Sequence, residues 1–251
     1  FDEVNVATAL HRLAKLQPPQ GSAGPAALFS SEPFVRLVAA AATLLPRFGA
    51  QAVSNTLWAF ATLGYFPADD LLDRIGRHAA ATMSTFRPQA TSNTLWAMAK
   101  LGEEFFLSFE LFPFAFFPIE FSPPFPPFFF IFLFSGLLHF ALLLFSCAHS
   151  SRPSLLPLLL PLHLFLLPGY VPCDELLSAS AAQMRADMGS SVPQDISNSL
   201  WAFATMRHYP GAPLLDAAAA RAAATAPRFK PQEIANTLWS FATLGHDPGA
   251  P

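Results

Sequence analysis

Cysteine is nearly absent: Cys147 and Cys173 are the only two in 251 residues, and neither stands in a CxxC or in Cys/His ligand spacing. That excludes a disulfide-stapled domain and gives no support to a zinc site or redox motif, so both read as free thiols. Charge is scarce as well. Charged residues are 12% of the chain, and 14 Lys and Arg face 17 Asp and Glu, so no broad positive field exists and any polyanion site must be local. No GxSxG, HExxH or Walker-type loop occurs, and Asp69, Asp70 and His78 lack any such context, so no enzyme, metal site or cofactor is expected. The chain opens on Phe1 rather than Met and stops at Gly249-Ala250-Pro251 in loop-like sequence, which reads as a fragment with no targeting peptide visible. Apolar residues make up 53%, which excludes a disordered acidic tail, and the 27 Phe and 25 Pro point to two compositions joined in one chain.

The chain repeats itself. All four tryptophans sit in one recurring phrase: Asn55-Thr56-Leu57-Trp58-Ala59-Phe60-Ala61, Asn93-Thr94-Leu95-Trp96-Ala97-Met98-Ala99, Asn198-Ser199-Leu200-Trp201-Ala202-Phe203-Ala204 and Asn236-Thr237-Leu238-Trp239-Ser240-Phe241-Ala242. Trp58 and Trp96 are 38 residues apart, as are Trp201 and Trp239, whereas Trp96 and Trp201 are 105 apart, an excess of 67. A weaker copy, Thr8 to Leu16, precedes Trp58, with the Pro/Gly/Ser-rich stretch Gln17 to Pro25 between.

Each 38-residue unit reads as two helices. From Gln51 to Leu63, Val53, Leu57, Phe60 and Ala61 fall on one arc and Gln51, Asn55 and Thr62 on the other, which predicts an amphipathic A-type helix. Pro67 breaks the chain, Asp69 and Asp70 suit a helix start, and Leu71, Leu72, Ile75, Ala79 and Met83 carry a B-type helix toward Phe86. One pair cannot bury its apolar face alone, so the expected fold is all-α: an α-solenoid of about five stacked helix-turn-helix repeats sharing one core. Three regions follow: helical repeats over 1–102, an apolar low-complexity insertion over 103–169, and truncated helical repeats over 170–251.

Residues 103–169 hold 17 Phe, 17 Leu, 10 Pro and 7 Ser and no Asn, Lys, Gln, Thr, Asp or Met. Without them Leu101-Gly102 runs into Tyr170-Val171-Pro172-Cys173-Asp174-Glu175-Leu176-Leu177, which matches Leu63-Gly64-Tyr65-Phe66-Pro67-Ala68-Asp69-Asp70-Leu71-Leu72, and the 38-residue period returns. The four common residues have pyrimidine-rich codons. Gly102-Glu103-Glu104 can be encoded with a GTGAG donor and Pro168-Gly169 with an AG acceptor, so the block reads as a translated, frame-preserving intron outside the fold. The remaining 184 residues carry 13 basic and 13 acidic side chains. A competing reading takes Phe128 to Phe145 as a marginal membrane span, but prolines crowd both sides and a span would interrupt shared packing between repeats.

The period and the phrase Asn-Thr-Leu-Trp-Ala-Phe-Ala-Thr-Leu-Gly, followed by a Pro-containing loop and Leu-Leu, resemble the octotricopeptide repeats of green-algal organelle proteins. The resemblance covers residues 50–102 and 170–251, and weakly 5–49. It implies a right-handed α-solenoid in a chloroplast or mitochondrion that binds single-stranded organellar RNA and acts in its processing, stability or translation, with proteins of a ribonucleoprotein complex as further partners. No membrane is implied if the insertion is spliced out. The loop proline run typical of the family is reduced here, and these residues include no terminal catalytic-looking domain.

Candidate RNA contacts lie on the polar arc of the A-type helices. Gln51, Gln89, Gln194 and Gln232, with Asn55, Asn93, Asn198 and Asn236 four residues on, form a row that can hold RNA or can instead bond one repeat to the next. Base-choosing positions should differ between copies: Ala52, Ala90, Asp195 and Glu233 at one offset, and Thr62, Lys100, Thr205 and Thr243 at another. The tryptophans read as spacers between helices more readily than as base-stacking platforms. Arg74, Arg77, Arg87, Arg221, Arg228 and Lys230 are candidate phosphate contacts. A protein-binding scaffold of the same fold is the competing function, and a membrane-anchored solenoid follows if the insertion is real.

Overall fold

A computed structural model of the chain describes residues 2–16, 25–67, 70–110, 170 and 172–249. Within them the protein is all-α, with ten helices and no strand. These are α1 (Glu3–Leu16), α2 (Pro25–Phe29), α3 (Glu32–Leu44), α4 (Ala50–Leu63), α5 (Leu71–Thr82), α6 (Pro88–Glu110), α7 (Asp174–Ala186), α8 (Pro193–Thr205), α9 (Ala212–Thr225) and α10 (Pro231–Leu244). Residues Phe1–Leu107 and Gly169–Pro251 belong to one compact unit. Asp69, Cys147, the Phe128–Phe145 span and nearly all of 103–169 lie outside the described residues. Among the described helices none is long and apolar enough to cross a membrane.

The A-type pattern folds as its periodicity predicts. Val53, Leu57, Phe60 and Ala61 of α4 are all buried, and so are the matching Ile196, Leu200, Phe203 and Ala204 of α8. Burying each large side chain stabilises the fold by about 1.5–3 kcal/mol relative to leaving it in water. Neighbouring A-type helices pack together, α1 on α4 and α8 on α10, while α5 packs on α7 and α7 on α9. The helix pairs close through contacts of α1 with α3, α4 with α5, and α8 with α9.

The ends of the helices repeat as faithfully as their faces. α4 stops at Gly64 and α10 at Gly245, each left-handed at φ 65°, which glycine adopts without a Cβ clash. Arg207 takes the same conformation after α8, at φ 54°. Behind each turn a backbone N–H closes the cap: Tyr65 to the Phe60 carbonyl at 2.9 Å, His208 to Phe203 at 2.9 Å and His246 to Phe241 at 3.1 Å. α6 is the exception. It runs through Gly102 to Glu110, a length of 23 residues against 14 for α4.

Each B-type helix ends in a 3₁₀ turn, at Leu45–Arg47, Met83–Thr85, Met188–Ser190 and Ala226–Arg228. The next residue is extended in every case, at Phe48, Phe86, Ser191 and Phe229. The following B-type helix then reaches back to that residue. His78 Nε2 bonds the Phe48 carbonyl at 2.8 Å, Gln183 Nε2 the Phe86 carbonyl at 3.0 Å, and Arg221 the Ser191 carbonyl through Nε and a terminal nitrogen, both at 3.3 Å. Each satisfies a backbone acceptor that the 3₁₀ turn leaves open.

Asp70 does not cap α5. Its side chain makes no bond to the first turn and lies 3.9 Å from Arg74, a weak surface pair. The short helix α2, unforeseen in the sequence, brings Phe29 against Phe34 and Tyr65 at ring distances of 5.5 and 4.9 Å. Cys173, at the start of α7, is a free thiol.

Candidate nucleic-acid interface

On α4, residues Gln51, Asn55, Trp58 and Thr62 follow one another at spacings of four, three and four, which lines them up along one side of the helix. The same stripe recurs on α6 as Gln89, Asn93, Trp96 and Lys100, on α8 as Gln194, Asn198, Trp201 and Thr205, and on α10 as Gln232, Asn236, Trp239 and Thr243. All four glutamines are exposed and all four asparagines half-buried. Their amides are not engaged: among the described residues no side-chain hydrogen bond joins any of the eight to a neighbouring helix. No ladder of such bonds between helices is seen among the described residues, and an unbonded amide offers both a donor and an acceptor to an outside partner.

In the middle of the stripe Trp58, Trp96 and Trp201 are half-buried, whereas Trp239 is exposed. Trp58 and Trp96 pack against one core cluster and Trp201 against the other, and Trp58 meets the His11 ring of α1 at 4.8 Å. Burial, followed by the charge of Lys15, lowers the His11 pKa.

Two of the proposed base-choosing positions are corrected. Asp195 and Glu233 are buried, at 6% and 9% exposure, not solvent-facing. Each is the third residue of its helix and folds back on the helix start: Asp195 accepts from the Val192 N–H at 3.1 Å and Glu233 from the Lys230 N–H at 2.8 Å. These bonds satisfy orphan amides and place negative charge at the positive end of the helix dipole. Asp195 also accepts from the Ser92 hydroxyl of α6 at 3.3 Å, tying α6 to α8. Burial raises its pKa, against the lowering effect of these two hydrogen bonds. Ala52 at the same offset is buried and Ala90 half-buried.

The second offset also divides. Lys100 is half-buried and Thr243 exposed, whereas the Thr62 and Thr205 hydroxyl oxygens are buried and have no hydrogen-bond partner, so neither is presented to solvent. Two of the six candidate phosphate contacts are structural. Arg74 donates to the Ala42 carbonyl at 3.0 Å and Arg221 to Ser191, so both guanidinium groups hold the preceding helix pair. Arg87, Arg228 and Lys230 are exposed near the starts of α6 and α10, beside Gln89 and Gln232. Among the described residues no group of three His, Cys, Asp or Glu side chains is placed to hold a metal.

Each of α4, α6, α8 and α10 thus carries an exposed glutamine and a half-buried asparagine. No protein-family model matches the chain, and no curated protein matches it. The acidic capping residues were legible in principle, since Pro193-Gln194-Asp195 and Pro231-Gln232-Glu233 place a carboxylate three residues into a helix that begins with proline.

Proposed function

We propose that this chain is an α-solenoid of 38-residue helical pairs, of the octotricopeptide type, that binds single-stranded RNA along the glutamine and asparagine edge of α4, α6, α8 and α10. The observation that carries the reading is the set of eight unengaged amides, a Gln and an Asn four residues apart on each of α4, α6, α8 and α10. Amides read base edges and ribose hydroxyls as both donors and acceptors, and a stripe repeated from helix to helix suits an extended, unpaired strand better than a compact ligand. Arg87, Arg228 and Lys230 are exposed, and in this reading they meet phosphates at the margin of that strand. In an organelle such a module would act in transcript processing, stability or translation without catalysing a step of its own.

The test is equilibrium binding of the full chain to random single-stranded RNA and to duplex RNA of equal length, over a salt series. The reading expects preference for the single strand and a shallow salt dependence, because few cations border the amide row. Absence of RNA binding together with capture of peptides would make the scaffold reading correct instead.

A further inference from the structure

Residues 103–169 interrupt a helix end that the fold makes three times elsewhere. After α4, α8 and α10 the chain turns through a left-handed residue, Gly64, Arg207 or Gly245, and the next residue donates its N–H to the carbonyl five positions back. At the corresponding place on α6 stands Gly102, which has the glycine but not the turn, because the helix continues through it. The residue that should follow is nonetheless already there. A Cβ added to Gly102 would lie 2.8 Å from the Tyr170 carbonyl oxygen, so the Tyr170 backbone rests directly on Gly102. Tyr170 also meets Phe66, ring to ring at 5.8 Å, and its hydroxyl approaches the place of a Gly76 Cβ on α5.

The register beyond the block agrees. His78 reaches Phe48 and Arg221 reaches Ser191 across 30 residues of sequence, and Gln183 makes the same bond to Phe86 across 97. The difference is the length of the block, 67 residues. The Gln183 bond to Phe86 is therefore the one expected if Tyr170 came directly after Gly102.

We infer that the functional chain lacks residues 103–169: it is the 184-residue protein in which Gly102 is bonded to Tyr170, and the 67 intervening codons are an unspliced intron. In the joined chain Gly102 takes the left-handed conformation, α6 ends where α4 and α10 end, and the Tyr170 N–H closes the cap on the Met98 carbonyl. Consecutive residues must have Cα atoms about 3.8 Å apart, and the Tyr170 backbone already lies against Gly102. The inference is independent of what the amide row binds.

The decisive experiment sequences the ribosome-associated message and weighs the protein isolated from its source. A message joining the Gly102 codon to Tyr170, with a protein of the matching mass, is expected; a message and protein that keep all 67 codons overturn the inference. A second measurement probes the physical premise. The 184-residue chain should keep the helical circular-dichroism signal of α1 to α10 and melt cooperatively, and Gly102→Ala in it should lower Tm by several degrees, because alanine resists the left-handed turn. Failure of the joined chain to fold, or indifference of its Tm to Gly102→Ala, counts against the inference equally.

Discussion

Gln183 on α7 holds the Phe86 carbonyl at 3.0 Å, and in doing so takes the place that His78 and Arg221 take on their own helices. Three chemically different side chains at one offset do one job, which makes the bond a property of the packing and not of a residue type. Gln183→Leu should cost about 1–3 kcal/mol, the usual penalty for leaving a partly buried acceptor without a donor, while Gln183→Arg should cost less than half as much. Urea unfolding of the full chain checks both.

Position-equivalent leucines differ in burial along the chain. Leu200 is 2% exposed under α10, whereas Leu238 on α10 itself is 62% exposed, alongside exposed Ile234 and Trp239. Leu200→Ala should therefore lose about 2–5 kcal/mol, as cavity-forming substitutions do. Leu238→Ala should stay within about 0.5 kcal/mol of the parent. A pair of thermal melts separates the two.

Asp195 tests the correction from reading residue to helix cap. Its folded-state pKa is raised by burial, so the folded protein holds the proton more tightly than the unfolded chain, and stability falls as pH rises through the interval above the unfolded value. Asp195→Asn keeps an acceptor for the Val192 N–H and removes the buried charge. It should be at least as stable as the parent at neutral pH, with a flatter stability profile above about pH 4. Asp195→Leu, which has no acceptor, should lose about 1 kcal/mol.

Tyr170 carries an alkaline signature. Burial first, and then the negative charge of Asp73, push its phenol well above the ordinary value. The unfolded chain ionises near pH 10, before the folded one, so this group stabilises fully below that pH and its contribution is lost as pH rises toward the folded value. Tyr170→Phe should reduce the fall in Tm above about pH 10. Tyr65, also raised by burial, leaves a residual slope.

The A-type helices were legible because the signal that encodes them is periodic: four apolar positions on one arc of α4 became four buried side chains. The exposed glutamines were legible for the same reason. What periodicity does not encode is the end of a helix, where an unsatisfied amide draws in a nearby carboxylate; Asp195 and Glu233 turned inward although the helical wheel placed them on the polar arc. The Arg74 and Arg221 bonds were not legible because a long side chain can lay its stem along apolar surface and deliver its charge to a carbonyl one helix away. The His78, Gln183 and Arg221 bonds left no mark on the repeat pattern, since self-similarity finds like residues and these are unlike.

The central claim, that the amide row binds RNA, is tested most directly by replacing Gln51, Gln89, Gln194 and Gln232 together with alanine and titrating the variant with single-stranded RNA. All four are exposed, so the thermal melt should be unchanged, and affinity should fall at least tenfold, since four lost hydrogen bonds at about 0.5–1.5 kcal/mol each exceed that factor. A variant that binds RNA as tightly as the parent would contradict the account.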